Sequence, residues 1–305
     1  MGGMRFYIRL LIVLFLAGCA TAPAQPLIHL AELYPLPAPP ANGIVPLRVS
    51  VAAVISPKGT AESYQTFLNY LSKRLNRPVE LVQRQTYAET NELVEQGLVD
   101  IAFVCTSAYV AGHEQFGMEL LAAPQVNGEA VYHSLLIVPT DSSAKSMSDL
   151  RGKVFAFTDP MSHSGRVYPT YLVEQLDSTP DEFFARTFFT YSHDDAIRAV
   201  AEGLADGAAV DSLVYDFALE RDPTLTQRVR IIHQSPPFGI PPVVMNPNVR
   251  PQLKATLREL LLSMADDPEG RTALRSLGFE RFVLIQDNAY DTVRRLSETI
   301  GAFSQ

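Results

Sequence analysis

The chain has 305 residues, with 25 Lys and Arg against 33 Asp and Glu, a formal net charge of −8, and two cysteines. Basic residues occur only singly or in isolated pairs, which argues against a nucleic-acid backbone as partner. Beyond residue 19 no apolar run approaches the roughly 20 residues that a membrane-spanning helix needs.

The first residues predict export. Arg5 and Arg9 give a positive start, residues 10–17 (LLIVLFLA) a short apolar core, and Leu16-Ala17-Gly18-Cys19 a small-residue end. These are the three parts of a secretory signal. The end resembles the lipobox of bacterial lipoproteins, in which the cysteine carries the lipid; the alternative is an ordinary signal cut nearby. With Cys19 lipidated, Cys105 has no partner for an intrachain disulfide. Residues 20–46 are rich in Pro and Ala and nearly uncharged. That composition suits an extended tether, or an arm packed through Leu30, Leu33, Tyr34 and Leu36.

From Leu47 onward strands and helices alternate. Residues 47–55 are β-branched between Pro46 and Pro57 and read as a strand. Tyr64, Phe67, Leu68, Leu71 and Leu75 fall on one helical face. A strand over 79–83, a helix over 87–96 stopped by Gly97, and a buried strand over 100–104 complete β-α-β-α-β, the pattern of a mainly parallel sheet. The pattern recurs: strands over 135–138 and 154–157, a helix over 165–175, a strand over 186–190, a helix over 193–202, and a strand over 207–210. Gly97-Leu-Val-Asp100 and Gly203-Leu-Ala-Asp206 each link a helix to an apolar strand, which suits two similar α/β lobes. Helices over 252–264, 268–277 and 290–303 end the chain.

Asp159-Pro160-Met161-Ser162-His163-Ser164-Gly165 precedes an apolar helical stretch. Ser162 or Ser164 can cap that helix, and a capped first turn with hydroxyl donors suits a tetrahedral oxyanion. A simple N-cap is the commoner use of such a serine. His193 opens the next helix in Ser192-His193-Asp194-Asp195; alone it reads as a capping or surface residue, with a charge that responds to pH near about 6.5.

Six segments in order resemble the phosphate/phosphite/phosphonate-binding proteins of ABC importers: GLVDIAFVCTSAYV (97–110), VYHSLLIVPTDS (131–142), DLRGKVFAFTDPMSHSG (149–165), YSHDDAIRAVAEGLADGAAVDSLVYD (191–216), SPPFGIPPVVM (235–245) and DDPEGRTALRSLGFERF (266–282). The resemblance implies the type II periplasmic-binding-protein fold, two α/β lobes joined by two crossover strands with the ligand cleft between them. Lobe 1 would comprise 47–132 plus 240–305, and lobe 2 133–239. It implies capture of a small phosphorus oxyanion, an ABC permease and ATPase as partners, closure of the lobes about the crossovers, and an extracytoplasmic location. It implies no cofactor, no metal and no catalytic residue. Ser162, His163 and Ser164 stand where the family holds the anion with Ser-Thr-Ser, so His163 replaces a Thr. His193 matches a histidine that donates into the cleft, and Tyr87 and Tyr132 match two ligand-facing tyrosines. Thr106 lies in the first matching segment. Asp211 matches an acid that pairs with a ligand amine, or else is a hydrogen-bonded strand-end carboxylate. Two departures stand out: Cys105 replaces a Gly, and Pro241-Pro242 lacks the acid the family often carries before its proline, which disfavours aminoalkyl ligands. A sensory protein uncoupled from import is the alternative. An enzyme is disfavoured, because no Gly-x-Ser-x-Gly, His-Glu-x-x-His, paired Cys-x-x-Cys or P-loop motif occurs.

Overall fold

The computed structural model describes residues 45–301. The expected signal segment with Cys19, and the expected tether up to residue 44, lie outside the described residues.

Two sheets organise the rest. The first has six strands in the order β13-β4-β12-β3-β1-β2. Here β1 is Leu47–Val51, β2 Val79–Val82, β3 Ile101–Phe103, β4 Glu119–Gln125, β12 Val243–Met245 and β13 Arg281–Val283. The second has five in the order β10-β6-β9-β7-β8. Its members are β6 (Ser134–Pro139), β7 (Val154–Phe157), β8 (Arg186–Phe189), β9 (Gly207–Asp211) and β10 (Val229–Gln234). Strands β2, β1 and β3 are mutually parallel, and β12 runs antiparallel to β3. In the second sheet β8, β7 and β9 are parallel, and β6 runs antiparallel to β9. The order β2-β1-β3-β12-β4 therefore repeats as β8-β7-β9-β6-β10. In each sheet the antiparallel member arrives through a crossover from the other sheet. The two crossovers pair with each other: β5 (Val131–Tyr132) and β11 (Phe238–Gly239) form an antiparallel ribbon.

The Gly-x-x-Asp echo has a physical basis in this repeat. Asp100 Oδ2 accepts the Arg48 N–H at 2.7 Å, and Asp206 Oδ2 accepts the Val154 N–H at 2.8 Å. Each carboxylate satisfies a backbone donor at the start of the neighbouring parallel strand, in equivalent places of the two sheets. Gly97 and Gly203 have φ of 65° and 71°, the left-handed turn that glycine adopts at least cost.

Helices cover both faces of each sheet, so the strands read as nearly continuous apolar runs. On one face of the first sheet Leu47, Val49 and Val51 pack against Phe67 and Leu71 of α1 (Pro57–Leu75), Leu257 of α8 (Pro251–Ser263) and Leu274 of α9 (Pro268–Ser276). On its other face Ala102 and Val104 meet α2 (Tyr87–Glu95) and α3 (Thr106–Phe116). In the second sheet Ala208 and Val210 face α6 (His193–Ala201) and α7 (Ser212–Arg221), while Ala209 faces the opposite cluster.

The observed elements depart from expectation in three respects. The first strand stops at Val51, four residues short, because Ala52–Ile55 leave the sheet for the turn before α1. The predicted helix over 165–175 begins as a π-helical turn, His163–Val167, and becomes α4 only at Tyr168–Glu174. Both sheets are mixed rather than mainly parallel, because each receives antiparallel strands from the crossovers. The short α5 (Pro180–Phe183) precedes β8, and α10 (Asp291–Thr299) closes the described chain.

Candidate functional site

The carboxyl ends of β1, β3, β7 and β9 all turn toward the space between the sheets, the usual place for a ligand in an α/β fold. Four segments meet there: Ala52–Ile55 after β1, Val104–Ser107 after β3, Thr158–Ser164 after β7, and Asp211 at the end of β9. Hydrogen bonds join the two sides. The His193 N–H donates to Val54 O at 2.9 Å. The Ser56 N–H donates to Asp194 Oδ1 at 2.8 Å, the Tyr87 N–H to Asp159 Oδ2 at 3.1 Å, and the His163 N–H to the Cys105 sulfur at 3.4 Å. Asp159 is buried at the start of α2, where free N–H groups favour an anion. Burial raises its pKa, while the Met161 and Tyr87 N–H groups favour its charged form.

The predicted residues come together inside this seam, and all are buried. Ser162 caps the π-helical turn by accepting the Gly165 N–H at 3.0 Å. Its hydroxyl lies 3.4 Å from His193 Nε2. His193 Nδ1 accepts the Asp211 N–H at 3.0 Å, so the proton of the neutral ring sits on Nε2 and points toward Ser162. Thr106 Oγ1 and the Tyr132 phenol are 2.8 Å apart. Burial raises the Tyr132 pKa, and the nearby Ser164 hydroxyl opposes that shift, yet Ser164 Oγ makes no hydrogen bond of normal geometry. The Ser164 carbonyl is taken by the Ser134 hydroxyl at 2.7 Å.

Several polar atoms in this region have no hydrogen-bond partner within the protein: Tyr87 Oη, Ser164 Oγ, Thr158 Oγ1, Ser107 Oγ and both ring nitrogens of His163. Buried polar groups are nearly always hydrogen-bonded, and each that is not costs about 1–3 kcal/mol. Their clustering at the strand ends is the main anomaly of the structure. Thr158 is held close by Gly165, where an added Cβ would overlap the Thr158 hydroxyl.

The electrostatics are those of a neutral donor set. Burial pushes the Tyr87 and Tyr132 phenols well above their usual range, so both keep their protons. Burial pushes His163 and His193 down to about 3. The expectation that His193 titrates near 6.5 is therefore corrected: the ring is desolvated, and only the nearby Asp194 carboxylate opposes the shift. Burial raises Asp211 to about 7, although its carboxylate accepts the Leu213 N–H at 2.7 Å as the cap of α7. Among the described residues no lysine or arginine contributes to any of these shifts. His163 also stands apart geometrically, because its ring packs edge-on against Phe238 of the crossover ribbon at 4.3 Å. Thr158, Ser107 and the Asp159 contact to α2 were not singled out from the sequence. Thr158 and Asp159 adjoin the serine-rich loop at the end of a predicted strand, and that position is the signal that marks them.

A family model described as the periplasmic substrate-binding protein of phosphonate ABC transporters matches residues 49–290. A phosphate-import protein PhnD from Mycolicibacterium smegmatis is 28% identical over 263 residues, covering 79% of this chain and 81% of the relative. Among solved structures, a binding-protein component of an ABC phosphonate transporter from Pseudomonas aeruginosa superposes with a TM-score of 0.80 at 23% identity. That match covers 85% of this chain and 87% of the other. PhnD1 from Prochlorococcus marinus, in complex with methylphosphonate, gives 0.77 at 18% identity, covering 84% and 98%.

The buried histidines dictate a pH response of folding stability. His163 has a folded pKa of about 3 against about 6.5 when unfolded. The unfolded chain therefore binds the extra proton first, and stability is lost as pH falls from about 6.5 toward 3. Asp211 acts in the opposite direction: its raised pKa gives stability that is present below about pH 4 and lost as pH rises through about 7. His163→Phe removes one histidine contribution and two unpartnered nitrogens. Its stability, followed by urea unfolding, should fall less than the wild type's between pH 7.5 and 5, by about 2 kcal/mol. An unchanged pH slope would contradict the burial of a neutral His163.

Proposed function

The chain belongs to the family of periplasmic substrate-binding proteins of phosphonate ABC transporters, and on that premise we propose that it captures a small phosphorus oxyanion, a phosphonate, phosphite or phosphate, between its two sheets. The observation that carries this reading is the cluster of buried hydroxyls without partners, Tyr87 Oη, Ser164 Oγ and Thr158 Oγ1, beside the fixed Nε2–H of His193. A tetrahedral oxyanion offers several strong acceptors at once, and hydrogen bonds to a charged group are stronger than those between neutral groups. Ser162, Ser164, Thr106, Tyr87 and Tyr132 supply hydroxyls, and His193 supplies an N–H. Desolvated neutral donors compensate an anion without a fixed positive charge, because hydrogen bonds are stronger at low dielectric.

Asp211 faces the same region with a carboxyl that burial holds partly protonated near neutral pH. Its role is to accept from a protonated ligand oxygen, or from another donor on the ligand. The contacts across the seam, from His193 to Val54 and from Tyr87 to Asp159, support a closed arrangement in which binding completes the interface. An ABC permease and ATPase are the proposed partners, and delivery to them is the proposed outcome of capture. The leader and lipobox at the N-terminus support a protein tethered outside the cytoplasm by lipid on Cys19.

Two experiments test these readings. Ser164→Ala and His193→Ala should each weaken methylphosphonate or phosphate binding by roughly ten- to a hundredfold, read by isothermal titration. A change under threefold in both variants would contradict the proposed anion site. Cys19→Ala should move the protein from the membrane fraction to the soluble fraction, since the lipid supplies the proposed anchor. A variant that still sediments with membranes would remove the lipoprotein reading and leave the anion reading intact.

A further inference from the structure

Asp194 has no part in the donor cluster, yet it joins the two sides of the seam. It stands in the first turn of α6, next to His193. Its Oδ1 accepts the Ser56 N–H at 2.8 Å, and its Oδ2 lies 3.8 Å from the point where a Cβ on Gly59 would stand. Ser56 is the N-cap of α1, which at 19 residues is the longest helix among the described residues. That helix begins without the usual means: the Ser56 side chain makes no cap hydrogen bond, and the first turn holds no acidic residue. Helices α2 and α6, which also start at the seam, are capped by their own Thr86 and Ser192. Asp194 thus supplies to α1, from the side of the other sheet, the carboxylate that a helix start normally takes from its own sequence. The His193 N–H, one residue before, donates to Val54 O at 2.9 Å. Residues 54 and 56 are therefore clipped to residues 193 and 194, and both helices begin at the clip. Without the carboxylate, two partly positive helix starts would meet.

We infer that Asp194 is the positioning residue that holds the seam shut: by capping α1 from α6 it ties the first sheet to the second, and it does so without touching the ligand. The chain passes between the sheets through the ribbon of β5 and β11, so the two sides can part about that ribbon while each sheet stays intact. Parting them strips α1 of its cap and returns the Asp194 carboxylate to water. Asp194 and Ser56 are only half-buried, so either partner can turn to water when the bond breaks, which suits a contact that opens and reforms. Such a contact sets the closed fraction of the protein, and so scales the affinity for every ligand by one factor. A residue that touches the ligand would instead change the ranking of ligands. The effect on affinity deepens the oxyanion reading above and rests on it, whereas the effect on the seam does not.

Amide hydrogen exchange on the full chain without added ligand tests the seam directly. The Tyr87 and His193 N–H groups bond across it, to Asp159 Oδ2 and Val54 O. Asp194→Ala should speed exchange at both by about tenfold and leave amides within β3 and β9 unchanged. Asp194→Asn keeps an oxygen that accepts the Ser56 N–H and should stay within about threefold of the wild type. Ser56→Pro removes the donor instead, at a backbone φ of −51° that proline adopts. It should act like Asp194→Ala, and the double variant should exceed neither by more than about twofold, because both delete one bond. Faster exchange confined to residues 56–60 makes Asp194 a local cap and overturns the inference, as does unchanged exchange or an Asn variant no better than the Ala variant. Isothermal titration with phosphate and methylphosphonate gives the second arm. Each variant should raise both dissociation constants by a common factor no larger than that seen in exchange, with their ratio held within about twofold. A changed ratio would make Asp194 a ligand contact and overturns the inference as well. Binding of neither ligand overturns the oxyanion reading, and exchange alone then decides the inference.

Discussion

The structure depends on a set of polar groups sealed between two sheets without enough partners. Tyr87, Ser164, Thr158 and His163 each bury a donor or acceptor that the protein itself does not satisfy. Each such group costs about 1–3 kcal/mol if it stays dry and unpaired, against the 5–15 kcal/mol by which domains are usually stable. Such a debt persists where a ligand settles it. On the proposed reading a ligand that satisfies these atoms binds the folded state and stabilises it by mass action.

The repeat between the sheets explains how the debt is held in place. Each sheet carries the order of its counterpart and swaps one strand through the crossover ribbon. The ends of β1, β3, β7 and β9 therefore oppose one another across the seam. Asp100 and Asp206 occupy equivalent positions and bind equivalent backbone donors. That equivalence was visible in the sequence as two Gly-x-x-Asp echoes. The crossovers were implied by the family resemblance alone, because β12 is three residues long and β5 and β11 two each, too short for an alternation pattern. Helices α3 and α7 also escaped notice. Their first turns hold Thr106 and Ser212, polar residues that read as loop but are buried where the helices meet the seam.

The sequence marked which residues the fold brings together, and much less of the chemistry they share. Ser162, Ser164, His193, Tyr87, Tyr132, Thr106 and Asp211 converge, and spacing around a serine-rich turn and a helix start marked most of them. The sequence could not show that His193 is held neutral with its proton on Nε2, because that follows from desolvation and from the Asp211 N–H, 18 residues away. Nor could it show that Asp211 caps α7 with its carboxylate while its own N–H holds His193. Pro241 was legible as a missing acid. That it lines an apolar cavity depends on the fold, which brings residues from Val51 to Phe279 around one space.

The most direct test of the central claim is a crystal structure of the protein with methylphosphonate. The account predicts the phosphonate oxygens within hydrogen-bond distance of Ser164 Oγ, Tyr87 Oη and His193 Nε2, about 2.5–3.2 Å. A phosphonate bound elsewhere, or one that leaves Ser164 and Tyr87 still without partners, would contradict it.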